Sequence, residues 1–196
     1  MNKTIRRFGF SYKKTLHHPK RNQQLRDEFI STISKIAKDR LVFLDESGIE
    51  DNSCSTHGWS NKGSRCYGAK QFQHKRRISM IGGLHNKKLI APVIFDGNCD
   101  KNVFESYVEQ ILIKELEPGQ IIVMDNINFH KSPKVLKAIA DKVCSIMFLP
   151  TYSLSLNPIE HYWFKLTLHI RETAHNFSDF FQAVCSGFQI ITNLSS

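Results

Sequence analysis

Two aspartates stand where chemistry is easiest to place. Asp45 follows the apolar run Leu41-Val42-Phe43-Leu44, and Asp125 follows Ile121-Ile122-Val123-Met124. Short continuous apolar runs read as strands buried on both faces. In an open α/β sheet, functional groups gather beyond the carboxyl ends of such strands. If these two strands are neighbours, their carboxylates lie side by side at that edge. Close carboxylates repel, and both stay ionised when a cation sits between them. A hard, oxygen-ligated ion such as Mg²⁺ suits that role. An aspartate after a strand is also an ordinary turn former. Glu160 has two readings as well. Asn157-x-x-Glu160 with Pro158 at N1 fits a capping box, and the same carboxylate, on a first helical turn, can point across to the two aspartates.

These groups need elements to hold them. Leu25, Phe29, Ile33 and Ile36 mark a short amphipathic helix, and Leu41 opens the first strand. The segments 77–84 and 89–95 read as two further strands joined at His85-Asn86-Lys87-Lys88. A helix follows with Val103, Phe104, Tyr107, Val108, Ile111 and Leu112 inward, stopped by Pro118-Gly119. After the strand ending at Asp125, Ser132-Pro133 is a cap-plus-N1 pair opening a helix with Val135, Leu136, Ile139 and Ala140 inward. Ser145–Leu149 is a short strand cut by Pro150. Helices from Asn157-Pro158 (Ile159, Trp163, Leu166, Ile170) and from near Ser178 (Phe180, Phe181, Val184, Phe188) complete the chain. The order β-β-β-α-β-α-β-α-α predicts an α/β fold: a mixed sheet of three leading strands, then alternating helices and strands, with helices on both faces.

The chain has 196 residues and a net charge of +9, with 41% hydrophobic residues, enough for one packed core. The charge is concentrated: residues 1–40 hold 11 basic and 3 acidic side chains. Arg6, Arg7, Lys13 and Lys14, interleaved with Phe8, Phe10 and Tyr12, suit phosphate contact and base stacking. No apolar run approaches a membrane span, and no apolar leader follows Met1, so neither membrane insertion nor secretion is expected. Five cysteines without a C-x-x-C cannot all pair, which points to reduced thiols in a cytoplasm. Gly63-x-x-x-x-Gly68-Ala69-Lys70 lacks a P-loop ending, Cys54-x-x-His57 with Cys66 lacks a second zinc pair, and no G-x-S-x-G elbow occurs.

Four ordered motifs decide more. They are Phe43-Leu44-Asp45-Glu46-Ser47-Gly48; Gly58-Trp59-x-x-Lys62-Gly63; Met124-Asp125-Asn126-x-x-Phe129-His130-Lys131-Ser132; and Phe148-Leu149-Pro150-x-Tyr152-Ser153-x-x-Leu156-Asn157-Pro158-Ile159-Glu160-x-x-Trp163. Together they resemble the catalytic domain of the IS630/Tc1-mariner transposases, a DDE group with an RNase H-like fold. Asp125 and Glu160 are separated by 34 residues, the spacing of the Tc1 and IS630 branches. The resemblance implies that Asp45, Asp125 and Glu160 form a catalytic triad binding two divalent metal ions, Mg²⁺ or, in substitution, Mn²⁺. It implies metal-dependent DNA strand cleavage and strand transfer on double-stranded DNA (transposon ends and target) by a homodimer, here in a bacterial cytoplasm at the nucleoid. Asn126 and His130 share the loop after Asp125, to touch phosphate or to orient the carboxylate. His161 points to another helix face, Trp59 and Trp163 read as core, and Lys70, Lys75, Arg76 and Arg77 read as a solvated edge.

This chain departs from the pattern in two places. The family carries helix-turn-helix modules ahead of the catalytic domain, and forty residues are too few for them. Residues 1–40 are therefore expected to be a basic arm, the remnant of such a region, with 41–196 the DDE domain. That suggests a split gene with a separately encoded helix-turn-helix half, or a truncated copy. A remnant that binds DNA or a partner transposase without cutting is the alternative, and a host RNase H-like nuclease a third. In the loop before Glu160, Thr151, Leu154 and Ser155 replace the family's Pro, Pro and acidic residue, and loss of two prolines loosens the loop.

Overall fold

The computed structural model describes residues 20–51 and 76–194. The expected order of elements is present. Strands β1 (Leu41–Glu50), β2 (Arg77–His85) and β3 (Lys88–Asp96) come first, with β4 (Ile121–Met124) and β5 (Ser145–Phe148) interleaved among helices. They make one sheet in the order β3-β2-β1-β4-β5. The β1–β2 and β2–β3 pairs are antiparallel, and the β1–β4 and β4–β5 pairs are parallel. Both parallel crossovers contain a helix, as the geometry of parallel pairing demands.

Helix α1 (Gln23–Ile33) precedes the sheet. Helix α2 starts at Lys101–Tyr107, passes through a π-helical turn at Val108–Leu112 and closes at Ile113–Glu115. Pro118 and Gly119 then turn the chain into β4, with Gly119 at φ 87°, a value glycine reaches without strain. Helices α3 (Pro133–Asp141), α4 (Ile159–Thr173) and α5 (Phe180–Leu194) follow. No helix among the described residues is long and apolar enough to cross a membrane.

The sheet separates two packed layers. On one face Val42, Leu44, Ile81, Ile122 and Met124 meet Phe104, Tyr107, Val108 and Leu112 of α2 and Val135 and Ile139 of α3. On the other, Ile49, Ile78 and Met80 meet Ile159, Trp163, Leu166 and Ile170 of α4 and Val184 and Phe188 of α5. Each fully buried apolar side chain of α4 contributes about 1.5–3 kcal/mol. Phe29 of α1 packs with Leu41, Val123 and Leu149, so this helix closes over the end of the second face.

Two local expectations need correcting. Sequence places Asp45 at a strand end, yet β1 continues to Glu50, because antiparallel pairing with β2 persists after the parallel pairing with β4 has stopped. On α3, Leu136 and Ala140 face outward, Leu136 being 40% exposed. Val135 and Ile139, four residues apart, set the inward line of this nine-residue helix, and a residue one step further is rotated by about 100°.

Candidate active site

Pleating decides which way the acids on β1 face. Successive strand side chains point to opposite faces. Val42 and Leu44 belong to the α2 layer, while Leu41 and Phe43 belong to the opposite layer. Asp45 therefore faces the α4 side and Glu46 faces α2. The β1–β4 register pairs Leu41 with Ile121 and Phe43 with Val123. Continued by two residues, it sets Asp45 beside Asp125, just past the end of β4.

Glu160 reaches the same place from α4. Asn157, buried with 1% exposure, fastens the start of that helix. Its Nδ2 donates to the Leu44 carbonyl at 3.4 Å, one residue before Asp45, and its Oδ1 accepts from the Ile159 N–H at 3.4 Å. The Asn157 N–H donates to the Leu154 carbonyl at 2.8 Å. It is thus engaged elsewhere, and the reciprocal half of the capping box is not made. The Glu160 carboxylate is left for the site.

The three carboxylates feel one another. Burial pushes the Asp45 carboxyl up to about 8, and Glu160, Glu46 and Asp125 add to the shift. Burial likewise raises Glu160, with His161 pulling it down and Asp125 pushing it up. An anionic cluster this poorly solvated calls for a cation. The donors are all hard oxygens, the set that Mg²⁺ or Mn²⁺ prefers, so Asp45, Asp125 and Glu160 fit such an ion chemically. As they stand, no three His, Cys, Asp or Glu side chains among the described residues converge closely enough to hold one.

His130 is the cation actually at the cluster. Its ring is fully buried, lying 4.2 Å from the Phe104 ring and 4.7 Å from that of Phe129. Nε2 donates to Glu46 Oε1 at 2.7 Å. Nδ1 donates to the Asp125 carbonyl at 3.2 Å and lies 2.6 Å from Asp125 Oδ1. The carbonyl is the better aligned acceptor, and the carboxylate is held mainly by charge. Burial works against the ring's proton, but the interactions with Asp125 and Glu46 outweigh it and raise the ring to about 9. The short turn Asn128–Lys131 carries this histidine, and it ends where Ser132 caps α3 by accepting from the Val135 N–H at 3.3 Å. With no exposed surface, the ring has nothing to offer phosphate.

Other expected residues fall in different places. Asn126 is partly buried beside Asp125, and its Oδ1 has no hydrogen-bond partner. Trp163 is core, 2% exposed. Arg76 joins Asp96 and Asp179, each at 2.7 Å, and Arg77 approaches Glu50 at 3.8 Å. Arg6, Arg7, Lys13, Lys14, Trp59, Lys70 and Lys75 lie outside the described residues, as do Cys54, His57 and Cys66. Sequence reasoning gives Glu46 no role, although strand alternation alone turns it away from Asp45. It also misses Arg26, a buried guanidinium on α1 whose Nη2 donates to Ser155 Oγ at 3.3 Å while Nε and Nη1 have no partner.

Comparison with known proteins places this geometry. No curated protein sequence matches the chain. Among solved structures, the Mos1 strand transfer complex aligns over 99% of this chain and 66% of that one, with TM-score 0.62 and 14% identity. The mariner Mos1 paired end complex with Mg gives TM-score 0.64 at 12% identity, over 99% of this chain and 69% of that one. The catalytic domain of Mos1 mariner transposase gives TM-score 0.50 at 12% identity, over 92% and 97%. The chain thus spans about two thirds of the longer Mos1 chains, and its fold is their RNase H-like α/β sheet. The family model for DDE superfamily endonucleases matches residues 40–182, which hold the whole sheet and all three carboxylates. A match over that much of its length means that the chain belongs to the DDE superfamily endonucleases.

Proposed function

We propose that the chain is the catalytic domain of an IS630/Tc1-mariner transposase of the Asp-Asp-34-Glu type, which cuts and joins DNA with divalent metal ions. The observation that carries this reading is the meeting of Asp45, Asp125 and Glu160 at one edge of the sheet in a domain of this family, where burial, and then the neighbouring acids, push Asp45 up to about 8. The similar Mos1 structures include complexes with Mg, with Mn and with a left transposon end, which supports metal and DNA as partners.

Asp45, Asp125 and Glu160 would hold two divalent ions, Mg²⁺ or Mn²⁺, which when bound activate the attacking oxygen and stabilise the leaving one. The residues' own task is to keep positive charge beside an already anionic substrate; they are not proton donors or acceptors. Water attacks phosphorus in line with the 3′-oxygen, the P–O3′ bond breaks, and a 3′-OH and a 5′-phosphate result. That 3′-OH then attacks a target-strand phosphorus and displaces another 3′-oxygen. Asn126, next in sequence to Asp125, would donate from its side-chain amide to a phosphate oxygen. Arg6, Arg7, Lys13 and Lys14 supply sequence-independent contact with the DNA backbone. The working assembly is a homodimer on double-stranded DNA.

Strand nicking of plasmid or transposon-end DNA in Mg²⁺ or Mn²⁺ tests the reading. Wild type should nick and join, and Asp125→Asn should do neither. Equal products from both would overturn it.

A further inference from the structure

We propose that Glu46 is a positioning residue of the active site, acting through His130 to fix the carboxylate of Asp125. The inference rests on the metal-dependent reading above and goes beyond the triad. Glu46 is adjacent to Asp45 in sequence but lies on the other face of β1, so it cannot serve as a fourth ligand beside it. It lies instead across the sheet edge from His130, 84 residues away in sequence, at 2.7 Å. Its side chain is 15% exposed and that of His130 is 1% exposed. Phe104 lies over the ring and Phe129 meets it edge-on, and in this buried packing the ring is held against both carboxylates.

The result is a chain of three groups: Glu46 holds Nε2, while Nδ1 bonds the Asp125 carbonyl and draws Oδ1, 2.6 Å away and without a well-aligned hydrogen bond, by charge. Oδ1 is thereby drawn toward the histidine, which fixes the rotation of the carboxylate. A carboxylate ligand held in this way binds metal without first losing rotational freedom. Groups that orient metal ligands typically change affinity or activity by about 10–100-fold when removed.

The test is Mn²⁺ binding to the full chain without DNA, followed by electron paramagnetic resonance of the free ion, with thermal melts confirming folding. Glu46→Ala and His130→Ala should each weaken Mn²⁺ binding by about 10–100-fold, and the double variant should lose no more than either single one. Glu46→Gln keeps an acceptor for Nε2–H but not the charge, so its loss should be smaller, about 3–10-fold, since charge-assisted bonds are roughly twice as strong. In cleavage assays kcat should fall while KM for DNA stays unchanged. A Glu46→Gln protein binding Mn²⁺ as tightly as wild type overturns the proposal, whatever Glu46→Ala does. Additive losses in the double variant overturn it too. Cleavage by Asp125→Asn would sink the metal-dependent reading itself; its absence, with wild-type Mn²⁺ binding by Glu46→Gln, sinks only the positioning role.

Discussion

Replacing Asp45 with asparagine should make the metal-free protein more stable while destroying its activity. Burial and the neighbouring acids raise the Asp45 carboxyl from 3.8 to about 8. At pH 7, taking up a proton against an ordinary value of 3.8 costs the folded state of the order of 4 kcal/mol, at 1.36 kcal/mol per pKa unit. A neutral asparagine of the same shape escapes that cost. With about 2–4 °C per kcal/mol for a chain of this size, Tm in EDTA should rise by several degrees, up to about 15 °C. The pH dependence gives the sign independently. Between 3.8 and about 8 the folded protein binds a proton that the unfolded chain does not. The stabilisation this brings is complete below 3.8 and lost as pH rises through 8. Wild-type stability in EDTA should therefore fall with rising pH by up to about 1.4 kcal/mol per unit, and Asp45→Asn should be flatter. A residual fall between 6.5 and about 9 should remain from His130, whose folded value is also raised. Thermal melts from about pH 5 to 9, with nicking assayed in parallel, decide the matter. An Asp45→Asn protein that melts lower than wild type, or keeps the full pH slope, would refute the crowded-carboxylate argument.

Trp163→Ala should cost about 3–5 kcal/mol, because the indole is almost fully buried between α4, α5 and the sheet; urea unfolding monitors it. Ser155→Asp should stabilise the protein by about 1–3 kcal/mol by giving the buried Arg26 guanidinium a carboxylate, and a gain that persists in an Arg26→Met background would show that the pairing is not its cause. Neutralising Arg6, Arg7, Lys13 and Lys14 should weaken non-specific DNA binding and flatten its dependence on salt, by about 0.9 in log–log slope for each phosphate no longer neutralised. Filter binding across a salt series measures it.

The sheet is legible in the sequence because its central strands are unambiguous. Leu41–Leu44 and Ile121–Met124 are apolar without alternation, as only a strand covered on both faces can be. Ser132-Pro133 marks the start of α3 to the residue, since a cap and a fixed φ are local chemistry. What escapes is what depends on partners distant in sequence. The length of β1 is set by β2, which no local pattern around Gly48 announces. The capping-box reading of Glu160 is decided by where the Asn157 N–H goes, a bond to Leu154 that residue types do not encode. Leu136 reads as inward only while hydrophobicity is taken without helical phase. Glu46 is hidden in plain view, as its neighbour Asp45 draws the chemistry and only the pleat separates them. Arg26 needs α1 to be folded back on the loop before Glu160, a tertiary event.

The two jaws of the carboxylate cluster are built to different stiffness. Asp45 rides on a strand in the middle of the sheet, laced to β2 along its whole length. Glu160 sits at the head of a helix reached through a run of turns that includes Tyr152 at φ 57°. Beyond apolar packing, its tie to β1 is a single long hydrogen bond, from Asn157 Nδ2 to the Leu44 carbonyl at 3.4 Å. Any adjustment to substrates of different width must therefore come from the helix side, with the strand serving as the anvil. Amide exchange should be slowest along β1 and faster through residues 150–158, and substitutions that alter how tightly the site closes should accumulate in that second segment rather than the first.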